Sequence, residues 1–139
     1  MKRVLVLGTD NACISQMMAA LLKHITFNRV EVASAGVTPK KIDKTLIKVL
    51  QEIGIDLSKE KSKMFNEFVH NRFEIIISTS EESRPLVDHF VGSITKIHKE
   101  FDDPRYFKGN SLEKTNEFRR LRDEMNEWLN DFVSRHRLV

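Results

Sequence analysis

The run Val4-Leu5-Val6-Leu7 leads directly into Gly8-Thr9-Asp10-Asn11, after which Cys13, Met17, Ala20, Leu21 and His24-Ile25 place apolar positions at helical spacing. Four unbroken apolar residues suit a strand covered on both faces. The polar quartet supplies turn chemistry, and the periodicity behind it predicts a helix of about three turns. A strand, a polar loop and a helix in that order are common to many folds, and it is their alternation along the whole chain that argues for a parallel sheet.

The rest of the chain keeps the alternation. Val30-Glu31-Val32-Ala33 alternates and meets Ser34-Ala35-Gly36, while Ile42, Leu46, Val49, Leu50 and Ile53 form an apolar helix face that stops at Gly54, a C-terminal cap signal. Met64, Phe65, Phe68 and Val69 predict a short helix, Phe73 to Ser78 a third buried strand, Ser80 to Asp88 a helical turn or two, and Ile94 to Ile97 a shorter final strand. After the Asp102-Asp103-Pro104 turn, Asn110 can cap a helix with Glu113 three residues on. Phe118, Leu121, Met125, Leu129 and Phe132 stripe one face of that helix to near His136. The expectation is an α/β domain with helices on both faces of the sheet and a ligand site beyond the strand carboxyl ends.

Bulk properties bound the function. A chain of 139 residues, 40% hydrophobic and 31% charged, fits one domain over residues 1–139 with a single core. The apolar runs are strand-sized, far short of the ~20 residues of a membrane span. Met1-Lys2-Arg3 precedes no secretory pattern, so a cytoplasmic protein is expected. The one cysteine, Cys13, rules out an internal disulfide and a zinc site of several thiolates. A net charge of +3 is mild, and nucleic acid is not an expected partner. Lys40, Lys41, Lys44, Lys48, Lys59, Lys61 and Lys63 read as a solvated face or as the rim of an anion pocket. His24, His70, His89, His98 and His136 lack mutual metal-ligand spacing, although His89 and His98 flank a loop and a strand. No metal or cofactor is expected, and the oligomeric state stays open.

The loop Gly8 to Ser15 joins a strand carboxyl end to a helix amino end, where free N–H groups and the helix dipole favour an anion. Its residues, Val4 through Gln16, resemble the opening loop of the low-molecular-weight tyrosine phosphatases and thioredoxin-coupled arsenate reductases. The similarity continues through Ser34-Ala35-Gly36, Leu50 to Ser58, the third strand and Asp102-Asp103-Pro104, and so covers nearly the whole chain. The resemblance implies a flavodoxin-like three-layer sandwich whose four-stranded parallel sheet runs in the order 2-1-3-4. It also implies a nucleophilic Cys where Gly8 stands, Gly where Asp10 stands and a phosphate-gripping Arg where Ile14 stands. Asn11, Cys13 and Ser15 match retained scaffold positions, and Asp103 matches the general acid. The reductases carry two further cysteines after the third strand, where Ser78 to Pro85 offers Ser, Thr, Glu and Arg instead.

Phosphatase chemistry needs a thiolate to attack phosphorus, a guanidinium to grip the phosphoryl oxygens and an acid to protonate the leaving group. Gly8 and Ile14 supply neither of the first two. No shifted signature replaces them, because the residues following Cys13 by five and six are Met18 and Ala19. The expected protein is therefore a catalytically degenerate relative that binds through Thr9, Asp10, Asn11, Ala12, Cys13 and Ser15, with a small anion or a phosphorylated protein as ligand. Asp10 counts against a phosphate, since a carboxylate a few ångströms from a dianion repels it by roughly a few kcal/mol. Its side chain tolerates left-handed backbone geometry, so the loop shape can survive. Two alternatives stand beside this reading. One is an enzyme with Thr9 or Cys13 as an unusual nucleophile; the other is an interaction subunit using Phe101, Tyr106 and Phe107. Among Arg3, Arg84 and Arg105, Arg105 is best placed to reach the loop, although an exposed surface pair is the ordinary fate of such a residue.

Overall fold

In the computed structural model, which describes residues 1–92 and 94–139, β1 (Arg3–Gly8) lies between β2 (Glu31–Gly36) and β3 (Ile75–Ser78), and β4 (Thr95–His98) pairs with β3. All pairings are parallel and the order is β2-β1-β3-β4, the flavodoxin-like arrangement. Parallel strands need crossovers, and α1 (Ile14–Ile25), α2 (Lys44–Gln51) and short 3-10 segments supply them. The 25-residue α3 (Ser111–Arg135) closes the chain.

Strand side chains alternate, so β1 feeds two cores. Val4 and Val6 pack with Met17, Met18, Leu21 and Leu22 of α1, Leu46, Val49 and Leu50 of α2, and Phe118, Leu121, Met125 and Leu129 of α3. Leu5 and Leu7 face the other way, onto Ala35, Phe73, Ile76, Leu86, Val87 and Phe90. The second face is covered by the 3-10 segments Phe65–Glu67 and Arg84–His89 rather than by α-helices. Each fully buried Leu or Met in these layers contributes about 1.5–3 kcal/mol of transfer free energy.

The cap on α3 is where the sequence places it, and the cap on α2 was not anticipated. Asp43 accepts from the amides of Thr45 and Leu46 at the start of α2, and Asn110 and Glu113 form a reciprocal capping box on α3. Two boundaries differ from expectation. β2 continues past Ala33 through Ser34-Ala35-Gly36, because β1 pairs with it as far as Gly8 and Gly36. α2 is shorter than its apolar stripe: Ile42 packs from the loop before it, whereas Ile53 beyond its end is exposed.

Gly36 fixes the loop after β1. A Cβ there would lie 2.8 Å from the Thr9 carbonyl oxygen and 3.0 Å from the Asn11 nitrogen. That closeness lets the Thr9 carbonyl accept from the amides of Val37 and Thr38 at 2.8 and 2.9 Å. The β2 end and the β1 loop are thus one unit. Among the described residues no helix is long and apolar enough to cross a membrane.

Candidate functional site

The loop between β1 and α1 is held from within by Asn11. Its φ of 53° makes it the left-handed residue of the turn, so the tolerance expected of Asp10 is exercised one position later. Asn11 Nδ2 donates to Ser15 Oγ at 2.9 Å, and Asn11 Oδ1 accepts from Gln16 Nε2 at 3.1 Å and from the Lys63 amide at 3.0 Å. The side chain is buried and its hydrogen-bonding capacity is spent on the scaffold. Ala12 and Cys13 are buried as well.

A cavity of about 350 Å³ opens over the loop, at the carboxyl ends of β1 and β3. Of the residues expected to bind, Thr9, Asp10 and Ser15 line it, together with Gly8, Ile14 and Asp103, whereas Asn11, Ala12 and Cys13 lie behind the wall. Gly8 forms the floor. A Cβ at Gly8 would meet Ser15 Oγ at 2.8 Å and Thr79 Oγ1 at 3.2 Å, so these hydroxyls crowd the spot a larger residue 8 would use.

The electrostatic centre is Arg105. Its Nη1 donates to Asp10 Oδ2 at 2.7 Å and its Nη2 to Asp103 Oδ2 at 2.6 Å, while Nε donates to both Asp103 oxygens at 3.0 and 3.1 Å. The three side chains are only 23, 14 and 17% exposed. This corrects the expectation of an exposed surface pair: the 3-10 turn Pro104–Tyr106 aims Arg105 into the cavity, and two carboxylates hold it there. Burial raises the Asp10 carboxyl pKa, but the Arg105 hydrogen bond and charge, with the Ala12 amide, outweigh it and leave the pKa below the usual carboxylate value. Burial likewise works against the Arg105 charge, and Asp103 and Asp10 more than offset it.

Asp10 also takes an amide that an anion would want, since Ala12 N donates to Asp10 Oδ1 at 3.1 Å. Four carboxylates, Asp10, Glu82, Glu100 and Asp103, line the cavity against one guanidinium. Asp103 itself caps its turn by accepting from the Arg105 amide at 2.9 Å.

The two candidate nucleophiles differ in their surroundings. Burial, reinforced by the Asp103 charge, pushes the Cys13 thiol far above the ordinary thiol pKa and keeps it protonated. Thr9 Oγ1 lies 2.9 Å from Ser80 Oγ and 3.1 Å from Glu82 Oε2. Glu82 thus supplies the neighbouring carboxylate that Asp10 does not.

Residues 3–138 match the family described as low molecular weight phosphotyrosine protein phosphatase. The chain belongs to that family. It is 28% identical over 132 residues to an arsenate reductase of Bacillus subtilis, with 95% of each chain covered, and equally so to an arsenate reductase of Halalkalibacterium halodurans. A solved arsenate reductase in its phosphate-binding state superposes with a TM-score of 0.76 at 26% identity, covering 97% of this chain and 98% of the other. A tyrosine phosphatase of Erwinia amylovora shares the fold at 19% identity, with a TM-score of 0.76 and coverage of 96 and 91%.

Other surfaces are less suggestive. A larger cavity of about 490 Å³ lies away from the loop, between α1, β2 and residues 54–57, beside the Lys23–Glu60 pair. Lys40, Lys41 and Lys61 line a separate groove with Ile42, Ile47 and Leu57 rather than the loop cavity. Phe101 packs against Trp128 with ring centroids 6.1 Å apart at the edge of the core and also lines the loop cavity, whereas Tyr106 is exposed at the cavity mouth. The sequence reading missed Thr79, Ser80, Glu82 and Glu100. Their signal was position: each follows a strand whose carboxyl end faces the site.

Proposed function

We propose that this chain is a catalytically degenerate member of its family, acting in a binding or regulatory role through the cavity over the β1–α1 loop. One observation carries the reading: Arg105 sits between Asp10 and Asp103, with Asp10 taking the Ala12 amide, so the loop's anion-seeking groups are satisfied from inside. Gly8 offers no nucleophile and Ile14 no charge. An incoming dianion must displace the Asp10 carboxylate or draw Arg105 away from both of its partners. That requirement favours a polar ligand or a partner segment reaching Thr9, Ser15 and Asp103 over free phosphate.

Hydrolysis through a hydroxyl has one observation in its favour, the Thr9–Glu82 contact at 3.1 Å. It ranks second because the cavity's guanidinium is already neutralised by two carboxylates and is poorly available to a phosphoryl group.

The test compares the natural protein with a Gly8→Cys, Asp10→Gly, Ile14→Arg variant on para-nitrophenyl phosphate and a phosphotyrosine peptide. The natural protein is expected to be silent and the variant to turn over. Turnover by the natural protein that disappears in Thr9→Val would overturn the proposal in favour of the hydroxyl mechanism.

A further inference from the structure

Beside the same cavity, Glu81 from the segment after β3 meets His98 and Glu100 from the end of β4, and of the three Glu100 lines that cavity. His98 Nε2, at the end of β4, lies 2.8 Å from Glu100 Oε2 and 3.5 Å from Glu81 Oε1. The donor atoms of all three lie within 4.8 Å of one another. Neighbouring donors around a divalent ion with bonds of about 2.0–2.2 Å stand roughly 3.0–3.4 Å apart in tetrahedral or octahedral geometry. The two histidine distances bracket that spacing.

The histidine ring is fixed from outside the trio. Ser78, buried at the end of β3, places its Oγ 2.6 Å from His98 Nδ1, and the same hydroxyl is directed at the Ile97 carbonyl at 3.4 Å. Ser78 Oγ anchors the ring at Nδ1, and Nε2–H donates to Glu100 Oε2 at 2.8 Å with Glu81 Oε1 close by, so an ion entering among the three groups takes the place of that shared proton. A buried hydroxyl orienting the ring through its other nitrogen is the outer-shell arrangement of metal-ligating histidines. Arg84 is the competing cation, with Nη1 3.4 Å from Glu81 Oε1.

We infer that Glu81, His98 and Glu100 form a binding site for a divalent first-row transition ion. One imidazole and two carboxylates suit zinc, manganese or cobalt better than calcium or magnesium, and three protein donors leave open positions for water or a ligand. Glu100 also lines the cavity over the loop, so a bound ion adds positive charge at the edge of a pocket otherwise dominated by carboxylates. The inference does not depend on whether the protein is catalytic.

The experiment is calorimetric titration of the full chain with Zn²⁺, alongside Co²⁺ titration followed by visible absorption. Saturable one-to-one binding is expected. His98→Ala should weaken it at least about 100-fold and Ser78→Ala about 10-fold, while Arg84→Ala should tighten it by freeing Glu81. Glu81→Gln and Glu100→Gln, both at exposed positions, give the same loss without disturbing the sheet. His70→Ala, an exposed histidine elsewhere, should bind as the natural protein does. Absence of one-to-one uptake would show that the trio holds only a proton and would overturn the inference. Uptake that survives His98→Ala and both glutamine variants would overturn it equally.

Discussion

Replacing Arg105 with Met keeps an apolar stem in the cavity and removes the guanidinium, leaving the Asp10 and Asp103 carboxylates facing each other unpaired. Hydrogen bonds to charged groups contribute about 1.5–3 kcal/mol when buried, and exposed ion pairs about 0.2–1 kcal/mol. With side chains 14–23% exposed the trio lies between these limits, so a loss of about 2 kcal/mol at pH 7 is expected after allowing for solvent screening. For a chain of this size that lowers the melting temperature by roughly 6 °C. The loss depends on pH with a definite sign. The folded Asp10 pKa lies below its ordinary value of 3.8, so its contribution is fully present above that value and disappears as pH falls through the folded pKa. Arg105→Met removes the cause of the depression, and the gap between the two proteins should narrow from pH 7 toward pH 3. Melting followed by circular dichroism across that range checks both claims. Equal melting temperatures at pH 7, or a gap of constant size down to pH 3, would refute the buried-trio account. A remainder that does not vary with pH is expected from the lost stacking of Arg105 over Tyr106.

Two further outcomes follow from the loop. Cys13 should alkylate with iodoacetamide at less than about one per cent of its rate in denaturant, because the thiol is buried and its pKa raised; comparable rates would mean that the loop opens readily. Gly36→Ala should cost about 1–3 kcal/mol in urea unfolding, since the new methyl meets backbone rather than a movable side-chain tip; an unchanged midpoint would show that the loop slides aside.

The elements of this fold were legible because their signals are local. The Val4–Leu7 run, the Asn110–Glu113 cap and the stripe from Phe118 to Phe132 each report on burial or hydrogen bonding within a few residues. The end of β2 was not, since the alternation stops at Ala33 and Ser34-Ala35-Gly36 joins the strand through pairing with β1. The loop residues Thr9, Asp10 and Ser15 could be placed at the cavity from their position after a strand. The direction of the Asn11 and Arg105 side chains could not. Asn11 turns inward because Lys63, more than fifty residues away, offers its amide, and Arg105 turns inward because Asp10, 95 residues earlier, offers a carboxylate. Glu81 and the His98–Glu100 pair escaped notice as a group for the same reason: the pairing of β3 with β4, invisible to spacing along the chain, sets the ends of the two strands side by side.

The Arg105 bridge also bears on how the loop tolerates substitution. A cysteine placed at position 8 meets Ser15, an arginine at position 14 enters a cavity already holding a guanidinium, and loss of Asp10 alone strips Arg105 of one partner. Each single step is opposed by residues suited to the present arrangement. Changing the chemistry of the loop would require several substitutions together, and the internal ion pair acts as a latch on its sequence.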